Sequence, residues 1–236
     1  AICTTGICGR KGIVCSATLF SINNHRHRSV FRTGCGFFAW LRRARDGHVD
    51  DGGSAGMNAY ANWLLPNERL DDLTSQGLKI IQSREVFSFS MDAVLLARFA
   101  SVPSRGRIMD LCTGNGVVPL LLSTRTRAQI DAIELQPRLC DMAERSVRMN
   151  GLERQIRIRQ GDVRTIHRDA GCGAYDLVTV NPPYLKGNAG DKNVNDHIAL
   201  ARHEIACTLE EVVAACARLV KSGGKVAMVH RPARLA

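Results

Sequence analysis

A chain of 236 residues with 45% hydrophobic content is long enough for one substantial α/β domain or two small ones and has the composition of a soluble globular protein. Its apolar runs, such as GVVPLLL and LEEVVAACARLV, are too short or too interrupted to span a bilayer, which excludes an integral membrane helix. A formal net charge of +10 favours an acidic partner, most commonly nucleic acid, but eight Lys and Arg against three Asp before residue 57 supply half of it.

In chain order, residues 1–56 keep no period of 3.6 or 2 and end in DGGSAG, a flexible linker by composition, before Met57. Acids are absent before Asp46 while Arg and Ser are present, so a transit peptide and a basic RNA-binding arm are both readings; the expectation is a disordered or adventitious extension. The nine cysteines match neither CxxC pairs nor a zinc-finger spacing and are read as reduced thiols of a cytoplasmic protein. A metal site from Cys3, Cys8, Cys15, Cys35, His25 and His27 is too irregular to favour, and no metal is expected.

Residues 57–103 form a lead-in, with a short strand over Leu78 to Gln82 and a helix in AVLLARFA capped by Ser90-Met91-Asp92. From residue 104 strands and helices alternate. RIMDLC, QIDAIEL, IRIRQGDV, YDLVTVN and KVAMVH read as strands; VVPLLLSTRT, PRLCDMAERSVRMNG (stopped by Gly151) and TLEEVVAACARLVKSGG read as helices. That order implies βαβ units and a doubly wound, Rossmann-like, mostly parallel sheet covered on both faces.

Such sheets gather ligands at the carboxyl ends of their strands, and four of those ends are polar. In DLCTGNG, Asp110 closes a strand, and Gly114 and Gly116 allow a tight turn at a helix N-terminus. Pro119 stands where a dinucleotide fingerprint would place its third glycine. Glu134 can accept hydrogen bonds from both hydroxyls of a ribose, and Asp162 can receive an adenine amine; otherwise the first is a solvated loop acid and the second a helix N-cap. The fourth end is Asn181-Pro182-Pro183-Tyr184, where two prolines stop the strand and stiffen the turn.

These ends in this order resemble the class I S-adenosylmethionine-dependent methyltransferases that methylate amines. ERLDDL, LKIIQSREVFSFSMDAVLLARF, DLCTGNGVVPLLL, NPPY, ARHE and VHRPARL together resemble the bacterial tRNA(Val) adenine-N6 methyltransferase family, over Asn67 to the C-terminus. The resemblance implies S-adenosylmethionine as cofactor, with Asp110, Gly114 and Gly116 on its methionine part, Glu134 on the ribose, Asp162 and Val163 on the adenine, and Phe89, Ser90 and Asp92 near its carboxylate end. Thr113, Asn115, Leu135 and Asn181 complete the expected cofactor set. Cys112 departs from the pattern by replacing its first glycine. The family's fold continues beyond VHRPARLA into a further helix and a C-terminal β-hairpin, so the expectation is a catalytic domain over 104–236 that lacks the hairpin and ends at a bare KVAMVH edge.

The motif has a chemical use. An exocyclic amine is a poor nucleophile because its lone pair is delocalised into the ring. If the Asn181 side-chain oxygen and the Pro182 carbonyl each accept one N–H, the nitrogen is oriented and its developing positive charge is stabilised. Pro183 helps to fix that carbonyl, and Tyr184 offers a face for an extruded base. Lys186, Lys192, Arg202 and His203, in a long polar loop, could meet phosphates of an RNA, expected to be a tRNA; otherwise that loop is a solvated connection. A protein glutamine amide, guanine N2 or DNA adenine N6 fits the same signature, and a non-catalytic RNA-binding protein is the alternative outside enzymology.

Overall fold

Strands that read as unbroken apolar runs require cover on both faces. The computed structural model describes residues 3–8, 13–18, 60–75, 77–86, 88–183 and 207–230. The chain divides into a unit of residues 1–20 and 63–236 and a second unit of 21–62, of which only 60–62 are described. In the first unit, five parallel strands stand in the order β9 (Val220–Met228), β8 (Tyr175–Val180), β5 (Arg107–Leu111), β6 (Gln129–Glu134), β7 (Ile156–Gln160). Successive residues of β5 and β8 enter opposite cores. Ile108 and Leu177 pack with Ile130 on one side, under α1 (Met91–Phe99), α2 (Val117–Ser123) and α3 (Pro137–Met149). Met109 and Val178 pack on the other with Val212 and Leu219 of α5 (Leu209–Leu219). From β5 the chain winds outward through α2, β6 and α3 to β7, then returns past β5 to β8, so the winding reverses between β5 and β8.

The element boundaries follow local chemistry. Pro137 opens α3, and Gly151, at φ 67°, donates its N–H back to the Arg148 carbonyl, which is the expected stop. A capping box starts α5: the Thr208 N–H donates to Glu211 Oε2 at 2.9 Å, and the Glu211 N–H to Thr208 Oγ1 at 3.2 Å. That helix ends at Leu219, short of the expected KSGG, because Gly223 at φ 76° takes a conformation foreign to a helix and the backbone is already extended at Val220. Ser90 does stand at the N-cap of α1, but its side chain makes no capping bond. The short helix α4 (His167–Ala170) and the strand β3 (Glu68–Asp72) were not expected; neither is long enough for a clear period.

Two further strands, β1 (Cys3–Cys8) and β2 (Ile13–Thr18), lie inside the stretch expected to be without structure. They pair antiparallel with each other, and β2 pairs parallel with β9, so the edge expected to be bare carries a strand. Thr4, Thr5, Ile7, Ile13, Val14 and Thr18 supply the β-branched content that favours extended backbone even where no alternation marks a buried face.

Outside the main sheet, β3 pairs antiparallel with β4 (Lys79–Ser83), and this hairpin is held by α3. The Ile81 N–H donates to Ser146 Oγ at 3.0 Å, the Lys79 N–H to Asn150 Oδ1 at 3.0 Å, and Asn150 Nδ2 to the Lys79 carbonyl at 2.7 Å. Arg145 grips both oxygens of Glu68 at 2.7 and 2.9 Å, and that carboxylate side chain is fully buried. Asn150→Ala removes two part-buried hydrogen bonds to the Lys79 backbone and is expected to cost about 2 kcal/mol of stability, measured by urea unfolding.

Candidate cofactor cleft at the strand ends

Where the winding of a parallel sheet reverses, the loops on either side diverge and leave a crevice. The carboxyl ends of β8, β5, β6 and β7 are neighbours there, so the four polar strand ends of the sequence come together. One cleft is lined by Thr113, Gly114 and Asn115 after β5, by Glu134 and Leu135 after β6, by Asp162 and Val163 after β7, and by Asn181 and Pro183 after β8; Phe89 closes it from the α1 side. Ser90, Asp92, Asp110, Gly116 and Pro182 do not line it. Tyr184, Lys186, Lys192, Arg202 and His203 lie outside the described residues.

Asp110 lies beneath the loop. It is fully buried and accepts the Thr179 hydroxyl at 2.6 Å. Burial pushes its carboxyl up to about 7 against the opposing hydroxyls of Thr113 and Thr179, with the neighbouring Glu134 charge adding to burial. Glu134 is buried as well, and burial raises its pKa even though the backbone N–H groups of Gln136, Gly114 and Leu135 oppose it, Gln136 on Oε1 at 3.0 Å and Gly114 on Oε2 at 2.8 Å. A carboxylate has about four lone-pair sites, so Glu134 shapes the glycine turn and still has accepting capacity toward the cleft that it lines.

The glycines do different things. Gly114, at φ 59°, would carry a side chain into open space, so the turn leaves the cleft wall bare at the point where a ligand could touch backbone. Gly116, at φ 89°, sits where an added Cβ would come within 3.1 Å of the Ala143 methyl on α3. Gly116→Ala is therefore expected to lose about 2 kcal/mol through left-handed strain and contact with α3, read from the melting temperature. Cys112 holds φ 55° with a side chain in place, the conformation its missing glycine would have adopted freely.

Two expected binding residues have other partners as well. Asn115 donates through Nδ2 to the Ile81 carbonyl at 3.1 Å, which ties the glycine turn to β4. Asp162 accepts the Arg164 N–H at 2.8 Å and Arg164 Nε at 2.9 Å, and these contacts, the Arg164 side chain foremost, hold its carboxyl below the usual range. The first of those bonds closes a turn two residues on, but the helix that follows has its N-cap at Ile166, so Asp162 is not the helix N-cap weighed from the sequence. The cleft is also lined by Ala93, Val118, Gln136, Leu139, Cys112 and Cys207. Of these, Cys207 had a legible signal, since Thr208-x-x-Glu211 fixes it one residue before a helix N-cap.

Among the described residues, no helix is long and apolar enough to cross a membrane, and no three His, Cys, Asp or Glu side chains group in a way that could hold a metal. Residues 77–234 match the family model described as the methyltransferase small domain. The chain is similar to the tRNA1(Val) (adenine(37)-N6)-methyltransferases of Aeromonas salmonicida, at 32% identity over 68% of this chain and 66% of that one, and of Tolumonas auensis, at 31% over 66% and 64%. The protein of the same name from Parabacteroides distasonis is 29% identical over 58% of this chain and 57% of its own length. The chain thus spans between 57% and 66% of the length of these relatives.

Proposed function

Because this chain belongs to the methyltransferase small domain family, we propose that it transfers a methyl group from S-adenosylmethionine to the exocyclic N6 amine of an adenine in RNA, with tRNA as the substrate. The observation that carries the reading is the meeting of Asn181 with the glycine turn and Glu134 in one cleft, an acceptor for an amine beside acceptors for a nucleoside. The names of the similar proteins support tRNA and adenine, and the excess positive charge agrees with a polyanionic partner. The same reading takes 104–236 as the catalytic domain, 57–103 as its lead-in, and the cytoplasm as its place of action.

The residues present fit the cofactor in two respects: the bare backbone at Gly114 and the spare acceptors of Glu134. S-adenosylmethionine supplies an electrophilic methyl on a sulfonium, so no covalent enzyme intermediate and no metal are needed. Glu134 would accept the ribose hydroxyls; Val163 and Leu135 would flank the adenine with apolar surface, and Asp162 would meet its amine. Asn181 and Pro182 would each accept one N–H of the target amine, hold its lone pair in line and stabilise positive charge as it develops. Tyr184 would stack on the extruded base, and Lys186, Lys192, Arg202 and His203 would meet phosphates.

Incubation with methyl-tritiated cofactor and separate pools of tRNA, DNA and protein tests this. Label is expected in tRNA and, after nuclease digestion, in N6-methyladenosine. Label only in protein or DNA, or tRNA binding without label, would overturn the assignment in favour of a glutamine or DNA methyltransferase or a binding protein.

A further inference from the structure

Two cysteines line the cleft from opposite sides of the chain: Cys112, in the turn after β5, and Cys207, just before α5. Their side chains stand within hydrogen-bonding reach, and neither is in a disulfide. Each backbone is independently fixed. Cys112 is held in a left-handed turn whose next residue, Thr113, donates its N–H to the Ile133 carbonyl at 2.9 Å, and Cys207 is anchored by the capping box that starts α5. Thiols within hydrogen-bonding reach stand within a few ångströms of each other, against an S–S length of about 2.05 Å in a disulfide.

We propose that Cys112 and Cys207 are a modification site, closing to a disulfide under peroxide, and that the bridge lowers the affinity of the cleft for its cofactor. The step is balanced by the peroxide: two thiols give up two protons and two electrons, one S–S bond forms, the O–O bond breaks, and two waters leave. The bridge would join the glycine turn to the start of α5 and fix two sulfurs on the cleft wall, beside Glu134, at the position where a glycine would have left room. By linkage, bound cofactor must then disfavour the bridge at equilibrium by the same factor by which the bridge weakens cofactor binding. The mutual hydrogen bond and burial push the Cys112 thiol well above its usual range, so bridging at pH 7 is expected to be slow and to quicken as pH rises toward 9.

This inference rests on the cofactor reading of the cleft, and the test separates the two. The full chain is treated with hydrogen peroxide; peptide mapping then follows every cysteine, and calorimetry measures S-adenosylhomocysteine binding before oxidation, after it, and after dithiothreitol. The expected result is a Cys112–Cys207 linked peptide, affinity reduced at least tenfold and restored by reductant, slower linkage when S-adenosylhomocysteine is present, and loss of the peroxide response in Cys207→Ser. The exposed Cys172 is replaced by serine in all arms to remove a competing thiol. Absence of the linked peptide, a bridge between other cysteines, or a bridge that leaves affinity within twofold would overturn the proposal. Failure of the reduced protein to bind S-adenosylhomocysteine would instead overturn the cofactor reading, while the mapping arm would still decide whether the two thiols pair.

Discussion

Asn181→Ala is expected to lower the single-turnover rate of methyl transfer to a tRNA transcript by roughly 10²–10³, the usual effect of removing one preorganised partner of developing charge. Asn181 lines the cleft at the end of β8, immediately before a buried proline, so its main chain is set by the sheet and by Pro182 rather than by its own side chain. Affinity for S-adenosylhomocysteine should change far less, because Glu134 and the turn at Gly114 stand on other strands. If the amide only shaped the turn, alanine would lower the melting temperature and leave the surviving protein active. Rates and melting curves collected on the same preparations separate these outcomes, and a folded variant with the parental rate would remove the catalytic role of the motif.

The second large effect concerns pH. Burial raises the folded-state pKa of Asp110 to about 7, against 3.8 as its ordinary value. Between those two values the folded protein keeps a proton that the unfolded chain has lost, so stability falls as pH rises, by about 1.4 kcal/mol per pH unit. Over the whole interval the loss is on the order of 4 kcal/mol from this one group, and it levels off once pH passes about 7. Asp110→Asn keeps the shape and the acceptor for the Thr179 hydroxyl but carries no proton to lose. Urea unfolding from pH 4 to 8 should show the decline in the parent and a flatter profile in the variant. Parallel profiles would mean that Asp110 is ionised in the folded protein at neutral pH despite its burial.

Much of this arrangement was legible because it depends on local chemistry at the ends of regular elements. Parallel sheets gather ligands at the carboxyl ends of their strands, so DLCTGNG, AIEL, QGDV and the start of NPPY are expected on one crevice, and residues of each stretch line it. The less legible features are long-range. No pattern around Asn115 announces that its amide reaches the carbonyl of Ile81, 34 residues earlier, and nothing local to Asp110 tells a cleft acid from one sealed under the loop. Arg164 could have been suspected as a partner of Asp162 two residues away, but a carboxylate facing a ligand and one capping its own turn share the same sequence. The apolar pattern runs on through Val220, past the end of the helix at Leu219, and only the glycines that follow mark the change of backbone.

The contact from Asn115 to Ile81 ties the motions of distant segments together. The β3–β4 hairpin shares no ladder with the main sheet, so by itself it is the sort of element that opens locally while the rest stays folded. Yet its Ile81 donates to α3 and accepts from the glycine turn, and the turn is packed against α3 at Gly116. Opening the hairpin therefore releases the turn, and anything that orders the turn must raise the free energy of opening the hairpin by the same amount. Backbone amides of β4, outside the cleft lining, thus become reporters of occupancy: their hydrogen exchange should slow when the cleft is filled, with no ligand atom near them.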